Sequence, residues 1–188
     1  QKMQIQAILD FLKEPRYEMD PNASLSYRIR SLFVLLIWAL AISLCLALVI
    51  GIADSLGPLN LGEHAFDMLL EEFSPLGVLL LACLVAPALE ELIFRGPLRF
   101  FRNSRYFPWI FYGLTLAFAL VHLSNYPNLS EIWPLALLLI SPQLNIGVFL
   151  GFIRIRFGLL WAIAFHAAYN LFLLGPMLLL YQLGITFS

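Results

Sequence analysis

Residues 75–100 read PLGVLLLACLVAPALEELIFRGPLRF. The run is long enough to cross a bilayer, because about 20 mostly apolar residues span a hydrocarbon core roughly 30 Å thick. Yet it carries two adjacent carboxylates, Glu90 and Glu91, and a guanidinium, Arg95. An ionisable side chain at the centre of a spanning helix costs roughly 2.5–3.5 kcal/mol on insertion scales and marks function by default.

Four further runs have the same character: Ser31–Ala53, Pro108–Ser124, Ile132–Ile153 and Phe157–Leu183. Of the 188 residues, 61% are hydrophobic and 12% charged, against roughly 45–50% and about 25% in an ordinary soluble domain. That excludes a soluble globular fold and a disordered chain. A net charge of −1 leaves no basic face for nucleic acid. Cys45 and Cys83 each lie in an apolar run, so neither a disulfide framework nor metal-ligand spacing is present. The expected fold is all-α and polytopic, with five transmembrane helices and a fourth span broken at Ser141-Pro142-Gln143-Leu144-Asn145. Gly96-Pro97 should bend the second helix below Arg95. Residues 1–30 read as a cytoplasmic amphipathic segment, with Ile5, Ile8, Leu9 and Leu12 on one face of a short membrane-surface helix. Residues 31–188 form the transmembrane domain. The segment Asn60–Phe73 reads as a second interfacial helix, and Asn128-Leu129-Ser130 is a formal sequon.

The basic residues set the expected orientation. Lys2, Lys13, Arg16, Arg28 and Arg30 precede the first span, Arg95, Arg99, Arg102 and Arg105 accompany the turn between the second and third, and Arg154 and Arg156 lie between the fourth and fifth. These are all 11 Lys and Arg, and the alternate segments Asp54–Ser74, Asn125–Glu131 and Gly184–Ser188 contain none. The positive-inside rule therefore predicts an integral, multi-pass protein with its N-terminus in the cytoplasm and its C-terminus outside.

Polar residues recur in the other spans: His122 in the third, His166 and Asn170 in the fifth. Glu91 and Arg95 are four apart, share a helix face and can pair. Glu90 lies about 100° away around the helix and stays free of that pair. Glu90 stands 16 residues before Tyr106 and His122 stands 16 after it, so in an antiparallel hairpin the two come level, roughly 24 Å from the turn. Asn170 lies 14 residues beyond Arg156, at a compatible depth of roughly 21 Å, with His166 one turn nearer the cytoplasm. Three helices thus converge on one polar layer. A carboxylate with two imidazoles can activate water, polarise a carbonyl and stabilise an oxyanion, with the Asn170 amide as a further donor. The same Glu90, His122 and His166 could hold Zn²⁺. The cofactor expectation is none, with a divalent metal such as Zn²⁺ as the alternative.

Three motifs carry a family resemblance. Glu90-Glu91-Leu92-Ile93-Phe94-Arg95 matches EExxxR, Phe118-Ala119-Leu120-Val121-His122 matches FxxxH, and His166-Ala167-Ala168-Tyr169-Asn170 matches HxxxN. Residues 147–161, GVFLGFIRIRFGLLW, are similar to a stretch leading into the last motif. In this order the motifs resemble the CPBP family, also called Abi or CAAX-protease-like, which includes the type II CAAX prenyl endopeptidases. The resemblance covers residues 75–174. It implies an intramembrane endopeptidase in which Glu90 activates water, His122 and His166 are essential partners, Asn170 stabilises the oxyanion, and Glu91 and Arg95 support them. It also implies a membrane-associated peptide or protein substrate among membrane lipid, with cleavage expected near the cytoplasmic half of the bilayer. Prenylated CAAX proteins, bacteriocin precursors and anchored regulators are the substrates linked with the family; the residues do not choose among them, nor do they name a complex partner. Two other classes compete: a non-catalytic scaffold or immunity protein of the same family, and a proton or metal transporter, which the lack of an internal repeat disfavours.

Overall fold

The computed structural model describes residues 2–56, 70, 72–126 and 133–183. Among them there are helices and no strands. Five helices are long and apolar enough to cross a membrane: Leu25–Ser55, Pro75–Arg99, Phe107–Asn125, Trp133–Phe157 and Leu159–Gln182. Most of Asn60–Phe73, with His64, and the sequon at residues 128–130 lie outside the described residues.

Helix α1 (Lys2–Lys13) precedes the spans, and α2 (Leu25–Ser55) is the first. α2 begins at Leu25 rather than Ser31, because Arg28 continues the helix while its guanidinium lies 5.9 Å and 6.0 Å from the rings of Phe157 and Trp161. The apolar side of α1 rests on protein. Ile8 is buried in the main core, and the Phe11 ring meets Phe111 and Phe152 edge-on, at 4.9 Å and 5.4 Å. The Tyr112 hydroxyl donates to the Leu12 carbonyl. α1 therefore closes the end of the bundle that carries the basic loops.

The second span is not one continuous α-helix. It runs as α3 (Pro75–Leu80), a π-helical turn (Leu81–Val85), α4 (Ala86–Phe94) and a 3₁₀ turn (Gly96–Arg99). The bend at Gly96-Pro97 is as expected from sequence; the π turn is not, and Pro87 accounts for it. A proline inside a helix has no N–H and its ring presses on the preceding turn. One extra residue in that turn relieves the clash, and the Ala86 N–H donates to Leu81, five residues back.

The third span is α5 (Phe107–Val121), tightening into a 3₁₀ turn at His122–Asn125. The fourth is broken, as Ser141-Pro142 predicts: a 3₁₀ turn (Trp133–Leu135) and α6 (Ala136–Leu139) end at Ile140, and α7 (Ser141–Phe157) follows. Gly158, at φ +104°, turns the chain into the fifth span, α8 (Leu159–Gln182).

α7 is the central helix. Of the most apolar window in Trp133–Phe157, 56% is buried in protein, against 22–33% for the other spans. It packs on α2, α5 and α8. Its GxxxG pair makes this possible: a Cβ on Gly151 would lie 2.5 Å from Cε2 of Phe111, and one on Gly147 would lie 3.1 Å from Cγ2 of Thr115. Small residues at these positions let helices approach closely where no hydrophobic effect drives them together.

Candidate active site

Glu91 and Arg95 sit one turn apart on α4, facing α7. Glu91 is fully buried and Arg95 is 2% exposed. Glu91 Oε1 lies 3.2 Å from Arg95 Nη1. Arg95 Nη2 donates to the Gly147 carbonyl at 3.3 Å, and its guanidinium lies 3.9 Å above the Phe118 ring. Gly147 makes room for this, since a Cβ there would come within 3.3 Å of Nη2. A buried Arg154 on α7 donates from Nε to the Arg95 carbonyl at 3.1 Å, satisfying a group freed where α4 ends.

The same Glu91 oxygen has a second partner, 3.1 Å away: Nδ1 of His166 on α8. A carboxylate only accepts, so Nδ1 carries the proton and donates. In the neutral ring this leaves the Nε2 lone pair, which faces Glu90 Oε2 at 3.7 Å. His166 thus stands between the two carboxylates. Glu90 is 30% exposed by side chain, and its position around the helix turns it from the packed α7 face toward open space. The expected division holds: Glu91 pairs with Arg95 and Glu90 does not.

His122 opens the 3₁₀ turn at the end of α5. Its Nδ1–H donates to the Phe118 carbonyl at 2.8 Å, which leaves Nε2 as the free nitrogen of a neutral ring. The Phe118 side chain lies 4.8 Å from the His122 ring and 5.9 Å from the His166 ring, centroid to centroid. One phenyl ring therefore contacts both imidazoles and Arg95.

Asn170, one turn beyond His166, donates from Nδ2 to the Ala82 carbonyl at 2.7 Å. The π turn explains why that carbonyl is available. Ala86 has donated to Leu81, and the residue five beyond Ala82 is Pro87, which has no N–H. The proline thus frees an acceptor at membrane depth, and Asn170 satisfies it from the neighbouring helix.

Glu90, His122, His166 and Asn170 line one cavity of about 330 Å³ with Phe118, walled on the far side by Ser43 and Ala47 of α2. A second cleft of about 430 Å³, between the second and third spans, shares Glu90, His122, Asn125 and Asn170 with it. The four residues expected to form a polar layer therefore meet at one place. The zinc alternative finds less support. Among the described residues no three His, Cys, Asp or Glu side chains are arranged to hold a metal ion. As placed, Glu90, His122 and His166 do not form a three-ligand set.

Two contributors escaped the sequence reading. Phe118 belongs to a quoted motif, but nothing in its spacing says that its ring joins Arg95 to two histidines. Ala82 carries no side-chain chemistry at all; the only signal was Pro87, five residues further on.

A sequence model of the type II CAAX prenyl endopeptidase Rce1-like family matches residues 72–172. That is more than half of the chain and includes every residue of the cluster. The chain belongs to the Rce1-like family. No curated protein and no solved structure matches it. The Rce1-like match identifies a family of CAAX intramembrane endopeptidases, consistent with a multi-pass membrane protein. α1 and α2 precede the matched region, yet α2 is tied to the Rce1-like core: Asn145 Nδ2 donates to the Ala39 carbonyl at 3.0 Å and to Ser43 Oγ at 2.8 Å.

Proposed function

We propose that the chain is an intramembrane endopeptidase in which Glu90 activates a water molecule against a peptide carbonyl. The observation that carries this reading is that Glu90, His122, His166 and Asn170, from three spans, line one cavity. Glu90 is the partly exposed carboxylate, while Glu91 is consumed by Arg95 and His166.

The chemistry follows from the hydrogen bonds. A water bound at Glu90 Oε2 gives up a proton to the carboxylate as its oxygen attacks the carbonyl carbon, and the carbonyl π pair moves onto oxygen. Asn170 uses one Nδ2 hydrogen on Ala82 and has a second for that oxyanion. His122, held by Phe118 through Nδ1, offers Nε2 to the water as acceptor, or to the oxyanion as donor once protonated. His166 faces Glu90 through Nε2 at 3.7 Å, beyond hydrogen-bond reach, so it stabilises the carboxylate's surroundings rather than holding its proton, while Glu91 holds the ring in one tautomer. Collapse of the intermediate restores the carbonyl, breaks the C–N bond and returns the proton to the leaving amine. The substrate is a membrane-associated peptide or protein; the family's description adds a prenylated CAAX protein as the first candidate to try.

Purified protein should cleave such a substrate, and Glu90→Gln should not. Cleavage that survives Glu90→Gln would remove Glu90 as the base; absence of cleavage in the parent, with its cellular effect intact in both, would leave the scaffold reading.

A further inference from the structure

Beside the four residues of the polar layer, the cavity is lined by the polar side chains of Ser43, Asn125, Gln143 and Tyr169. Most of these groups are already engaged. Asn145 donates to Ser43 Oγ, and the Tyr169 hydroxyl shares a hydrogen bond with Ser43. His122, His166 and Asn170 are held by Phe118, Glu91 and Ala82. Asn125 is exposed. Two sheltered groups remain without a hydrogen bond among the described residues: the Glu90 carboxylate and the Gln143 amide. Gln143 Oε1 is enclosed by protein and has no hydrogen-bond partner, and Nε2 makes no hydrogen bond either. Enclosing an unpaired amide costs more than one hydrogen bond contributes, so a side chain kept here for architecture alone would be apolar.

The helix places Gln143 toward the reactive layer. It lies in the first turn of α7, just after Ser141-Pro142. Gly147 is four residues on, so the two share a helix face. That face meets the other spans of the site, because Gly147 lies against Thr115, Phe118 and the Arg95 guanidinium. Asn145, two residues from Gln143, turns instead to α2 and donates to Ala39 and Ser43. The two amides of this stretch thus divide: one ties α2 to the core, and the other is left on the cavity wall.

A free amide on that wall matches one chemical group in particular. A peptide drawn into a cavity at membrane depth must find partners for its N–H and C=O groups, since lipid offers none. A primary amide carries both a donor and an acceptor, the complement of a peptide unit. Glu90 and the free imidazole nitrogens only accept, and Asn170 has one hydrogen left over. Gln143 is the sheltered lining residue with both roles unused.

We propose that Gln143 is a substrate-binding residue whose amide pairs with a backbone peptide unit next to the bond that is cut. It holds an extended stretch of the substrate across the cavity, so that the scissile carbonyl lies at Glu90. Recognition of backbone rather than side chains makes this contact tolerant of substrate sequence. The proposal rests on the peptidase reading above for its occupant.

The test compares the full chain with Gln143→Met, which keeps the length and removes both hydrogen-bonding groups. Without substrate, the thermal midpoint of Gln143→Met should equal or exceed that of the parent, because the amide has no partner to lose. A lower midpoint overturns the proposal by showing that the amide holds the fold. The probe is a fluorogenic farnesylated peptide ending in Cys-aliphatic-aliphatic-X. Gln143→Met should raise its KM roughly tenfold with a smaller change in kcat, the pattern of lost uniform binding; an unchanged KM overturns the proposal. The decisive step replaces the peptide units flanking the cut bond, one at a time, by esters, which removes the N–H and weakens the carbonyl as acceptor. At one of them the parent should lose roughly tenfold in KM while Gln143→Met loses about twofold or less. Equal losses in both chains overturn the proposal, whatever the stability result. If the parent cleaves nothing, the same four combinations are read as Kd by anisotropy of the labelled peptide. Coupling in Kd without cleavage defeats the peptidase reading alone; cleavage without coupling defeats the Gln143 proposal alone; a peptide neither bound nor cut defeats both.

Discussion

Glu91 Oε1 lies 3.1 Å from Nδ1 of His166, so the carboxylate that pairs with Arg95 on its own helix also sets the tautomer of a histidine on another. A pair that spacing alone presents as structural is therefore joined to the reactive layer. The chain of contacts runs from the Gly147 carbonyl through Arg95 and Glu91 to His166 and on to Glu90.

Removing either end of the Glu91–Arg95 pair should damage the fold first. Both groups are buried, and losing one leaves the other uncompensated, which costs roughly 3–5 kcal/mol. Arg95→Met and Glu91→Gln should both lower the thermal midpoint in detergent and the yield of folded protein. Single variants as stable as the parent would show that the pair contributes nothing net.

The contact between α5 and α7 makes a sharper packing test. Gly151→Ala sets a Cβ against Phe111, where 2.5 Å separates it from Cε2, and overpacking of this kind costs roughly 1–3 kcal/mol. Phe111→Leu in the same chain should recover part of the loss, because it removes the ring that blocks the new methyl. A double variant no better than Gly151→Ala would mean that the backbone, not the ring, takes up the strain.

These contacts also show how far the sequence could be read. The five spans and the break at Ser141-Pro142 were legible because apolar length and proline act locally, within one helix. The meeting of Glu90, His122, His166 and Asn170 was legible because fixed rise per residue converts sequence position into depth. What stayed hidden depends on which helices lie side by side. The Phe118 ring gains its role only when α4, α5 and α8 are assembled, and the Ala82 carbonyl matters only because Asn170 arrives opposite it. The apolar face of α1 fits a membrane-surface helix by periodicity, but whether such a face meets lipid or protein is set by tertiary packing, and here it meets protein.

The Pro87 device yields its own test. Pro87→Ala supplies an N–H five residues beyond Ala82, which competes with Asn170 for the same carbonyl. The helix should fold at least as well, since alanine suits a helix interior better than proline by about 3 kcal/mol. Asn170 would then lose its anchor, and turnover should fall, by as much as roughly 10²-fold if the amide moves by an ångström. Undiminished turnover with a regular helix would show that the Ala82 contact does not position Asn170.

The two glutamates, adjacent in sequence, should separate cleanly in their variants. Glu91→Gln disturbs a fully buried ion pair and so reads out chiefly as lost stability. Glu90→Gln is nearly isosteric, breaks no ion pair with Arg95, and removes a charge at membrane depth, so it should hold the thermal midpoint at or above that of the parent. Its amide cannot take a proton from water, and cleavage should fall by roughly 10²–10⁴-fold, the range expected for loss of general base catalysis. The informative measurement is the pair of values from one preparation, thermal midpoint and turnover. A stable, inactive Glu90→Gln beside an unstable Glu91→Gln assigns chemistry to one carboxylate and architecture to its neighbour. A stable Glu90→Gln that still cleaves would move the base elsewhere, and His122, with Nδ1 committed to Phe118 and Nε2 free, would be the group left to serve.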